Sequence, residues 1–384
     1  MDFPKKLQQK LEARKAANAL RKLGAQNNLI DFSSNDYLGF SKNKTIFKNT
    51  HDFLMEHHIQ QNGATGSRLL SGNHQLFNIT ENMLCNFHNS ETALVFNSGY
   101  DANVGFFSCV PQKDDIILYD EYIHASIRDG ITMSHAKSYK FIHNDIEDLN
   151  KKVLRLAQHN KQTVYIVTES VFSMDGDTPN LTAMAQLSQK YNAFLIVDEA
   201  HALGTFGNRG VGLIQDLKLE SQVFARLITF GKALGCHGAA ILGSNSLKQY
   251  LINFSRSFIY TTALPPHSLA TINTAYNELI STQNRALLKK NISHFKSEII
   301  KNSLQQLFII SDSPIQCCIV SGNERVKSIA KKLQELNFNV KPILSPTVPK
   351  GHERLRFCLH SYNSTKEISD VLQQLATFAT TMTC

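Results

Sequence analysis

The sequence predicts an α/β fold, in which a large domain with a mainly parallel seven-stranded sheet precedes a small C-terminal α+β domain. Between residues 90 and 245, seven short apolar runs rich in β-branched residues alternate with helix-length segments. This alternation is typical of parallel sheets that are buried on both faces. After residue 265 the pattern changes to long helical segments with two further strand candidates. A chain of 384 residues is long enough for two domains with sizeable cores.

Each predicted helix and strand rests on a local sequence pattern. Leucines at near-helical spacing predict an amphipathic helix over the first 23 residues, ended by Gly24. A last helix is predicted to open at a capping box of Ser364 and Glu367. The strand candidates are residues 92–96, 115–120, 139–143, 163–169, 193–200, 226–231, 239–244, 315–320 and 354–361. The predicted domains are an N-terminal helix and arm (1–45), the large domain (46–275) and the small domain (276–384).

Composition narrows the classes of function. No apolar run approaches the roughly 20 residues that cross a bilayer, and the N-terminus lacks the apolar stretch of a secretory signal. Seven cysteines without a CxxC pair predict neither a disulfide framework nor a metal site, so we expect a reducing cytoplasm. The net charge is +8, but the basic residues are not interleaved with aromatic residues, as they are on surfaces that bind single-stranded nucleic acids. We therefore expect no nucleic-acid partner. An anionic substrate or an acidic carrier protein could still benefit from this charge.

The segment FLIVDEAH, residues 194–201, permits two interpretations. One is a helicase-type box that holds Mg²⁺ for ATP hydrolysis, which requires an upstream phosphate loop of the form GxxxxGK[ST]. The only Gly-Lys pair is Gly231-Lys232, which lies downstream and is followed by Ala233, so this interpretation fails. The other is a pyridoxal phosphate (PLP) site made by Asp198, His201 and Lys232. A lysine amine forms a Schiff base with PLP, and a carboxylate keeps its pyridine nitrogen protonated.

Several longer blocks resemble one family of PLP enzymes, the α-oxoamine synthases. They run in family order over nearly the whole chain: NDYLGFS (35–41), TGSRLLSGNHQLF (65–77), FNSGYDANVG (96–105), HASIRDG (124–130), TESVFSMDGDTPNL (168–181), VDEAHALGTFG (197–207), TFGKALGCHGAA (229–240) and YTTALPP (260–266). The resemblance implies a fold-type I PLP-dependent transferase that condenses an amino acid with an acyl thioester and releases CO₂.

Within this family, SRLLSGNH, VFSMDGD and SPTVPKGHERLRFCL (345–359) are most similar to the branch that acts in biotin biosynthesis. That branch joins L-alanine to pimeloyl-CoA or pimeloyl-acyl carrier protein. The alternatives within the family are 2-amino-3-ketobutyrate CoA ligase, which uses glycine and acetyl-CoA, and serine palmitoyltransferase. A regulatory protein that binds PLP without catalysis is a further alternative, but we expect such a protein to carry an additional interaction domain.

The resemblance implies roles for the matching positions. Lys232 would bind the cofactor covalently and move the Cα proton. Asp198 would pair with the pyridinium nitrogen, His201 with the phenolic oxygen, and His124 would stack on the ring. These four residues are the predicted catalytic set, and no metal is expected.

Further positions are implied for the phosphate, the site wall and the substrates. The predicted phosphate ligands are Ser98, Gly99, Tyr100 and Thr229, with Thr261 and Thr262 from the neighbouring subunit, which implies a homodimer with shared active sites. Glu169 and Ser173 would line the site. The predicted ligands of substrate carboxylates are Arg21, Asn35, Thr347 and Arg356. For Arg21 the alternative is a charge on the solvated face of the basic N-terminal helix. Around Lys232, we expect Gly231, Ala233 and Gly235 to be small because the cofactor passes close to their backbone. His237 could either support a site residue or pack, and packing is favoured, whereas the sequence predicts no role for Cys236.

Overall fold

The structure is a computed structural model that describes residues 3–21, 23–24, 28–156 and 162–380. Its described residues form two compact units. The large unit consists of the described residues within 35–173 and 178–285, and the small unit of those within 1–34, 174–177 and 286–384. The predicted division at residues 45 and 275 stays a prediction.

Helices and strands are numbered in chain order. The helices are α1 Lys5–Ala16, α2 Lys44–Glu56, α3 Gln75–His88, α4 Gly99–Cys109, α5 Ala125–Met133, α6 Ile146–Leu156, α7 Leu181–Lys190, α8 Leu213–Asp216, α9 Asn245–Phe254, α10 Arg256–Ile259, α11 Pro266–Ser281, α12 Asn284–Lys301, α13 Asn323–Glu335 and α14 Thr365–Thr380. The strands are β1 Ile30–Asp31, β2 Thr92–Phe96, β3 Ile116–Asp120, β4 Lys137–Phe141, β5 Val164–Glu169, β6 Phe194–Asp198, β7 Ala225–Thr229, β8 Ala239–Gly243, β9 Ile315–Ile319, β10 Phe338–Asn339, β11 Lys341–Ile343 and β12 Arg354–Cys358. None of the described helices is both long and apolar enough to cross a membrane.

The large unit contains a seven-stranded sheet in the order β2-β8-β7-β6-β5-β3-β4. All seven predicted strands are present, with ends shifted by a few residues. β8 runs antiparallel to both of its neighbours, whereas the other six strands share one direction. The predicted mainly parallel sheet is therefore confirmed, and the carboxyl ends of six strands lie at one edge.

The apolar strand sequences follow from burial on both faces of this sheet. Along β5, Tyr165 and Val167 belong to one core cluster, whereas Val164 and Ile166 belong to another. Residues of α4, α5 and α9 complete the first cluster, and residues of α6 and α7 complete the second. Because successive strand side chains point to opposite faces, each strand must be apolar at nearly every position.

The small unit contains the three-stranded antiparallel sheet β11-β12-β9 and a short parallel pair of β1 and β10. The predicted capping box of α14 is present. Ser364 N donates to Glu367 Oε2 at 2.7 Å, and Glu367 N donates to Ser364 Oγ at 3.2 Å. The predicted apolar face of this helix is buried, including Val371 and Leu372.

The N-terminal helix differs from the prediction. α1 ends at Ala16 rather than near residue 23, and none of its residues is buried. Asn18 follows with a left-handed φ of 46°, which ends the helix. Its side chain bonds to α13 in the same unit: Asn18 Nδ2 donates to Glu324 Oε1 at 2.5 Å, and Lys327 Nζ donates to Asn18 Oδ1 at 2.6 Å. These polar contacts, rather than a leucine stripe, fix the end of α1.

Candidate active site

A cavity of about 250 Å³ lies at the carboxyl edge of the large sheet. The sequence places polar residues just after several strands, and the shared strand direction brings them together. The predicted site residues that line the cavity are Asn35, Ser98, Gly99, Tyr100, His124, Glu169, Asp198, Thr229 and Lys232. Residues from the ends of five strands thus surround one space.

Lys232 lies in the connection between β7 and β8, a hairpin closed by strand pairing at both ends. Backbone bonds brace this connection, since Phe230 N donates to Gly238 O at 2.9 Å and Cys236 N to Phe230 O at 2.8 Å. Two small neighbours of Lys232, Ala233 and Gly235, are required to be small by contacts within the protein, whereas the cofactor approach predicted for Gly231 stays a prediction. A Cβ atom on Gly235, whose φ is +61°, would lie 2.2 Å from Ser41 N. Ala233 packs against Gly204, where a Cβ would lie 2.6 Å from the Ala233 methyl.

A chain of hydrogen bonds runs from Lys232 into the protein. Lys232 Nζ lies 2.6 Å from His201 Nε2, and His201 Nδ1 lies 2.8 Å from the Tyr37 hydroxyl. The Tyr37 hydroxyl donates to Asn35 Oδ1 at 3.1 Å. Because Tyr37 donates its hydrogen to Asn35, it accepts from His201 Nδ1, which leaves Nε2 as the acceptor towards the lysine. The geometry thus holds the lysine amine beside a hydrogen-bond acceptor.

Two carboxyl groups face each other across neighbouring strands. Glu169 at the end of β5 is the register partner of Asp198 at the end of β6. Both side chains are buried, at 3% and 6% exposure. Asp198 Oδ1 accepts from Ala200 N at 2.9 Å, and Asp198 Oδ2 accepts from Asn103 Nδ2, also at 2.9 Å. Burial, together with the Asp198 carboxylate, raises the pKa of Glu169 well above its ordinary value.

His124 is the N-cap residue of α5, and its Nδ1 accepts from the backbone N–H of Ser126. His124 is exposed as a residue. Desolvation lowers the pKa of His124, the Asp198 carboxylate opposes this, and the Lys232 ammonium adds to it. The imidazole therefore favours its neutral form, which suits a ring that packs on another aromatic ring.

The turn before α4 has the features of a phosphate site. Ser98 caps the helix, with Asp101 N donating to Ser98 Oγ at 3.1 Å. A Cβ atom on Gly99 would lie 2.6 Å from Thr229 Cγ2, so only glycine permits this close approach. Tyr100 is half exposed, and its hydroxyl donates to Asp129 Oδ2 at 2.5 Å. A helix N-terminus of this kind favours an anion through its free N–H groups.

Two buried polar atoms in the cavity lack a hydrogen-bond partner among the described residues. They are Thr229 Oγ1 and Glu169 Oε1. Such atoms are costly unless a bound molecule satisfies them. Together with the lysine amine, the aspartate and the helix N-terminus, they fit a planar cofactor that carries a phosphate, a phenolic oxygen and a pyridine nitrogen. The residues present therefore fit PLP.

Other predicted residues lie outside this cavity lining. Asn97 Nδ2 donates to Thr261 Oγ1 at 3.0 Å and to Thr262 O at 2.6 Å. Ser173 is half-buried after β5. In the small unit, Arg21 Nη2 donates to Thr347 Oγ1 at 3.3 Å, so the structure brings these two predicted residues together.

Arg356 lies on β12 of the small unit and is buried at 8% exposure. Its Nη1 donates to Cys358 Sγ at 2.8 Å. The predicted roles of Arg356, Arg21 and Thr347 stay predictions.

The comparisons with known proteins decide the family. A model of the class I and II aminotransferases matches residues 27–375. The chain belongs to this family. An 8-amino-7-oxononanoate synthase of Emericella nidulans is 40% identical over 370 residues, which cover 91% of this chain and 89% of that protein.

Solved structures give the same result for the fold. The 8-amino-7-oxononanoate synthase of Francisella tularensis matches with a TM-score of 0.79 at 29% identity, covering 93% of this chain and 99% of that chain. A serine palmitoyltransferase with PLP matches with a TM-score of 0.85 at 26% identity, covering 92% and 88%. The predicted resemblance to the α-oxoamine synthases, the fold-type I class, the enzyme class and PLP as the cofactor of the family are confirmed.

Cys236 and His237 follow Lys232 in the connection between β7 and β8. The expected packing role of His237 is wrong, because its side chain is exposed and lines the cavity. Cys236 does pack, with its Sγ 3.1 Å from Leu234 O, and burial raises the pKa of its thiol to about 12. A thiol with this pKa is a poor nucleophile at neutral pH.

Three site residues were missed by sequence reasoning. Tyr37 is fully buried beside His201, and Asn103 and Ser126 line the cavity at 3% and 1% exposure. Asn103 had a detectable signal, since it is the one polar residue among the buried residues of α4. The hydroxyls of Tyr37 and Ser126 had no signal in the sequence, because only the fold shows which residues they bond to.

Proposed function

We propose that this protein catalyses the decarboxylative condensation of L-alanine with a pimeloyl thioester. The products would be 8-amino-7-oxononanoate, CO₂ and a free thiol, as a step of biotin biosynthesis. The observation that carries the proposal is the 40% identity to an 8-amino-7-oxononanoate synthase over 91% of this chain. The cavity supports it, because it gathers an amine, a carboxylate pair and a helix N-terminus.

The cofactor would be held by residues that the structure groups in the cavity. Lys232 would bind it covalently, Asp198 would pair with its ring nitrogen, and Thr229 with the turn at Ser98 and Gly99 would bind its phosphate. When bound, PLP supplies an electron sink for negative charge at Cα of the amino acid.

Side chains of the protein would carry out the proton transfers and hold the substrates. Lys232 Nζ would remove the Cα proton, and His201 Nε2, 2.6 Å away, would hold the amine in place for this transfer. The new carbon–carbon bond would form between Cα and the thioester carbonyl, with the thiol as leaving group. After loss of CO₂, Lys232 Nζ would return a proton to Cα. A guanidinium such as that of Arg356 is suited to a substrate carboxylate, because its fork matches two oxygens.

A substrate panel tests the reaction. L-alanine, glycine and L-serine are each combined with pimeloyl, acetyl, succinyl and palmitoyl thioesters, and the release of CO₂ is measured with Lys232→Ala as the matched control. We expect turnover with L-alanine and a pimeloyl group, from CoA or from acyl carrier protein, and none with the control. Turnover only with glycine and acetyl-CoA would contradict the proposal.

Serine palmitoyltransferase is the second candidate, favoured by the TM-score of 0.85 to one such structure. Its 26% identity is well below the 40% to the synthase. Turnover only with L-serine and a palmitoyl thioester would select this candidate.

The active sites are proposed to be shared between two subunits of a homodimer, with Thr261 and Thr262 reaching the partner's phosphate site. Support comes from apolar side chains beside these threonines, since Leu70 and Tyr260 are 84% and 73% exposed. The two segments adjoin, because Ala263 N donates to Gly66 O at 2.9 Å. A cytoplasmic location is proposed for the enzyme.

Subunit mixing tests the sharing. Lys232→Ala and Thr261→Val variants are each expected to be impaired, whereas refolded mixtures should regain activity, because one site of each mixed dimer then contains only native residues. A monomeric mass by light scattering, or mixtures no more active than their parts, would contradict the shared site.

A further inference from the structure

Four side chains form a continuous hydrogen-bonded chain from Asp198 to His124. Asn103 Nδ2 lies 2.9 Å from Asp198 Oδ2 and 3.0 Å from Ser126 Oγ. Ser126 Oγ lies 2.7 Å from His124 Nδ1. The two linking residues come from different helices, α4 and α5, and are almost completely buried. The chain therefore connects the predicted partner of the pyridine nitrogen with the predicted stacking ring.

The donor and acceptor groups of these four side chains allow only one direction for the hydrogen bonds between them. The Asp198 carboxylate accepts, so the amide nitrogen of Asn103 must face it, because the amide oxygen there would place two acceptors together. The second hydrogen of the same nitrogen points to Ser126 Oγ. The Ser126 hydroxyl accepts that hydrogen and donates its own to His124 Nδ1. All three hydrogens of the chain are then used.

A second donor fixes the imidazole independently. The backbone N–H of Ser126 also donates to His124 Nδ1, at 3.2 Å. With two donors aimed at it, Nδ1 cannot carry a hydrogen, so the ring proton of neutral His124 lies on Nε2. Protonation of Nδ1 would place a hydrogen against both donors.

We infer that Asn103 and Ser126 are positioning residues that fix the hydrogen-bond direction from Asp198 to His124, holding the carboxylate as an acceptor and the imidazole as the Nε2–H tautomer. This inference rests on the proposed function for the roles of Asp198 and His124. It assigns a task to the polar residue among the apolar buried residues of α4, since leucine would remove the donor that Asn103 supplies to Asp198 Oδ2 and to Ser126 Oγ. Both groups are oriented by bonds to side chains and backbone of the protein itself.

The test uses cofactor-free protein with ¹⁵N-labelled histidine. Two-dimensional ¹H–¹⁵N spectra report which ring nitrogen carries the proton, and the His124 signals are assigned with His124→Gln. We expect Nδ1 to be unprotonated and Nε2 protonated at neutral pH. Protonated Nδ1 would overturn the inference, whatever the substrate panel shows, and a failed panel would leave this result standing.

Variants test the two linking residues. Ser126→Ala removes the hydroxyl donor that stabilises neutral His124, so the pKa of His124 should rise by about 0.5 to 1 pH unit. The titratable and charged groups around His124 stay in place in this variant: Asp198, Lys232, Asp129, Arg128 and Glu169. Ser108→Ala, which removes a hydroxyl of α4 that bonds only to Gly105 O among the described contacts, is the matched control and should leave this pKa unchanged.

A double-mutant cycle separates positioning from a merely structural role. If Asn103 acts through Ser126, Asn103→Ala should raise the His124 pKa in the native background and by less in the Ser126→Ala background. Equal shifts in both backgrounds, or no shift with Ser126→Ala, would overturn the inference. His143, whose Nδ1 lies 2.9 Å from Asp120 Oδ1, serves as an internal reference whose titration should not change.

Discussion

Replacing Glu169 with glutamine should stabilise the cofactor-free protein, and increasingly so as the pH rises. The carboxyl group is buried beside Asp198, and its Oε1 has no hydrogen-bond partner among the described residues. Because its folded-state pKa is raised above the ordinary 4.5, the folded protein binds a proton that the unfolded chain releases. The stability that this proton contributes is complete below pH 4.5 and is lost as the pH rises towards the raised pKa.

The expected size of this stability difference follows from one bound proton in the folded state. A difference of one bound proton changes the free energy of unfolding by about 1.4 kcal/mol per pH unit. Glu169→Gln carries no such proton, so its advantage over the native protein should grow by about this amount for each unit above pH 5 until the raised pKa is reached.

Urea denaturation at a series of pH values measures this difference. Far-UV circular dichroism is the appropriate signal, because the chain contains no tryptophan. Glu147→Gln, at an exposed glutamate of α6, is the control and should run parallel to the native protein. Parallel curves for Glu169→Gln and the native protein would refute the assignment of a buried, protonated carboxyl group.

Three other changes test separate parts of the structure. Tyr37→Phe removes the hydroxyl between His201 and Asn35 and should lower the free energy of unfolding by about 1–3 kcal/mol, measured by urea denaturation; an unchanged midpoint would mean that this bond contributes nothing. Gly99→Ala places a methyl group against Thr229 and should weaken PLP binding at least about tenfold, or about 1.4 kcal/mol, in a titration followed by visible absorbance; native affinity would argue against the phosphate turn. Ser364→Ala removes the N-cap of α14 and should cost about 1 kcal/mol, whereas Ser297→Ala, an exposed serine within α12, should cost much less.

The strands of the large unit were predictable because their sequences must be apolar on both faces. The runs around Ile166 and Val197 admit few other structures, and turn residues mark their ends. The reversed direction of β8 was not predictable. Its sequence, AAILG, is as apolar as those of the strands that run in the other direction. Strand direction depends on the length of the connection rather than on the strand itself.

For the N-terminal helix, the sequence pattern was misleading. The spacing of Leu7 and Leu11 indicated a buried stripe, but both side chains are substantially exposed. Helical periodicity reports that a face is apolar, not that another element covers it. The end of the helix at Asn18 depends on bonds to α13, which is some 300 residues away in sequence and invisible to a local pattern.

At the candidate site, spacing and chemistry indicated Lys232, Asp198 and His201, and the strand ends indicated Glu169 and Thr229. The residues that orient them were harder to find. A serine or tyrosine hydroxyl has no pattern of its own, so Ser126 and Tyr37 became site residues only when the fold placed them beside an imidazole. His237 was misjudged for a similar reason, since its direction depends on the hairpin that carries it.

That hairpin limits how the sequence can diverge. The connection from Phe230 to Gly238 is anchored to the same sheet at both ends, and its backbone bonds to itself. An inserted or deleted residue cannot be absorbed by a neighbouring helix, as it could in a strand–helix loop, and would displace Lys232 from His201. Relatives that keep the lysine chemistry should therefore vary in the residues of this connection but hardly ever in its length.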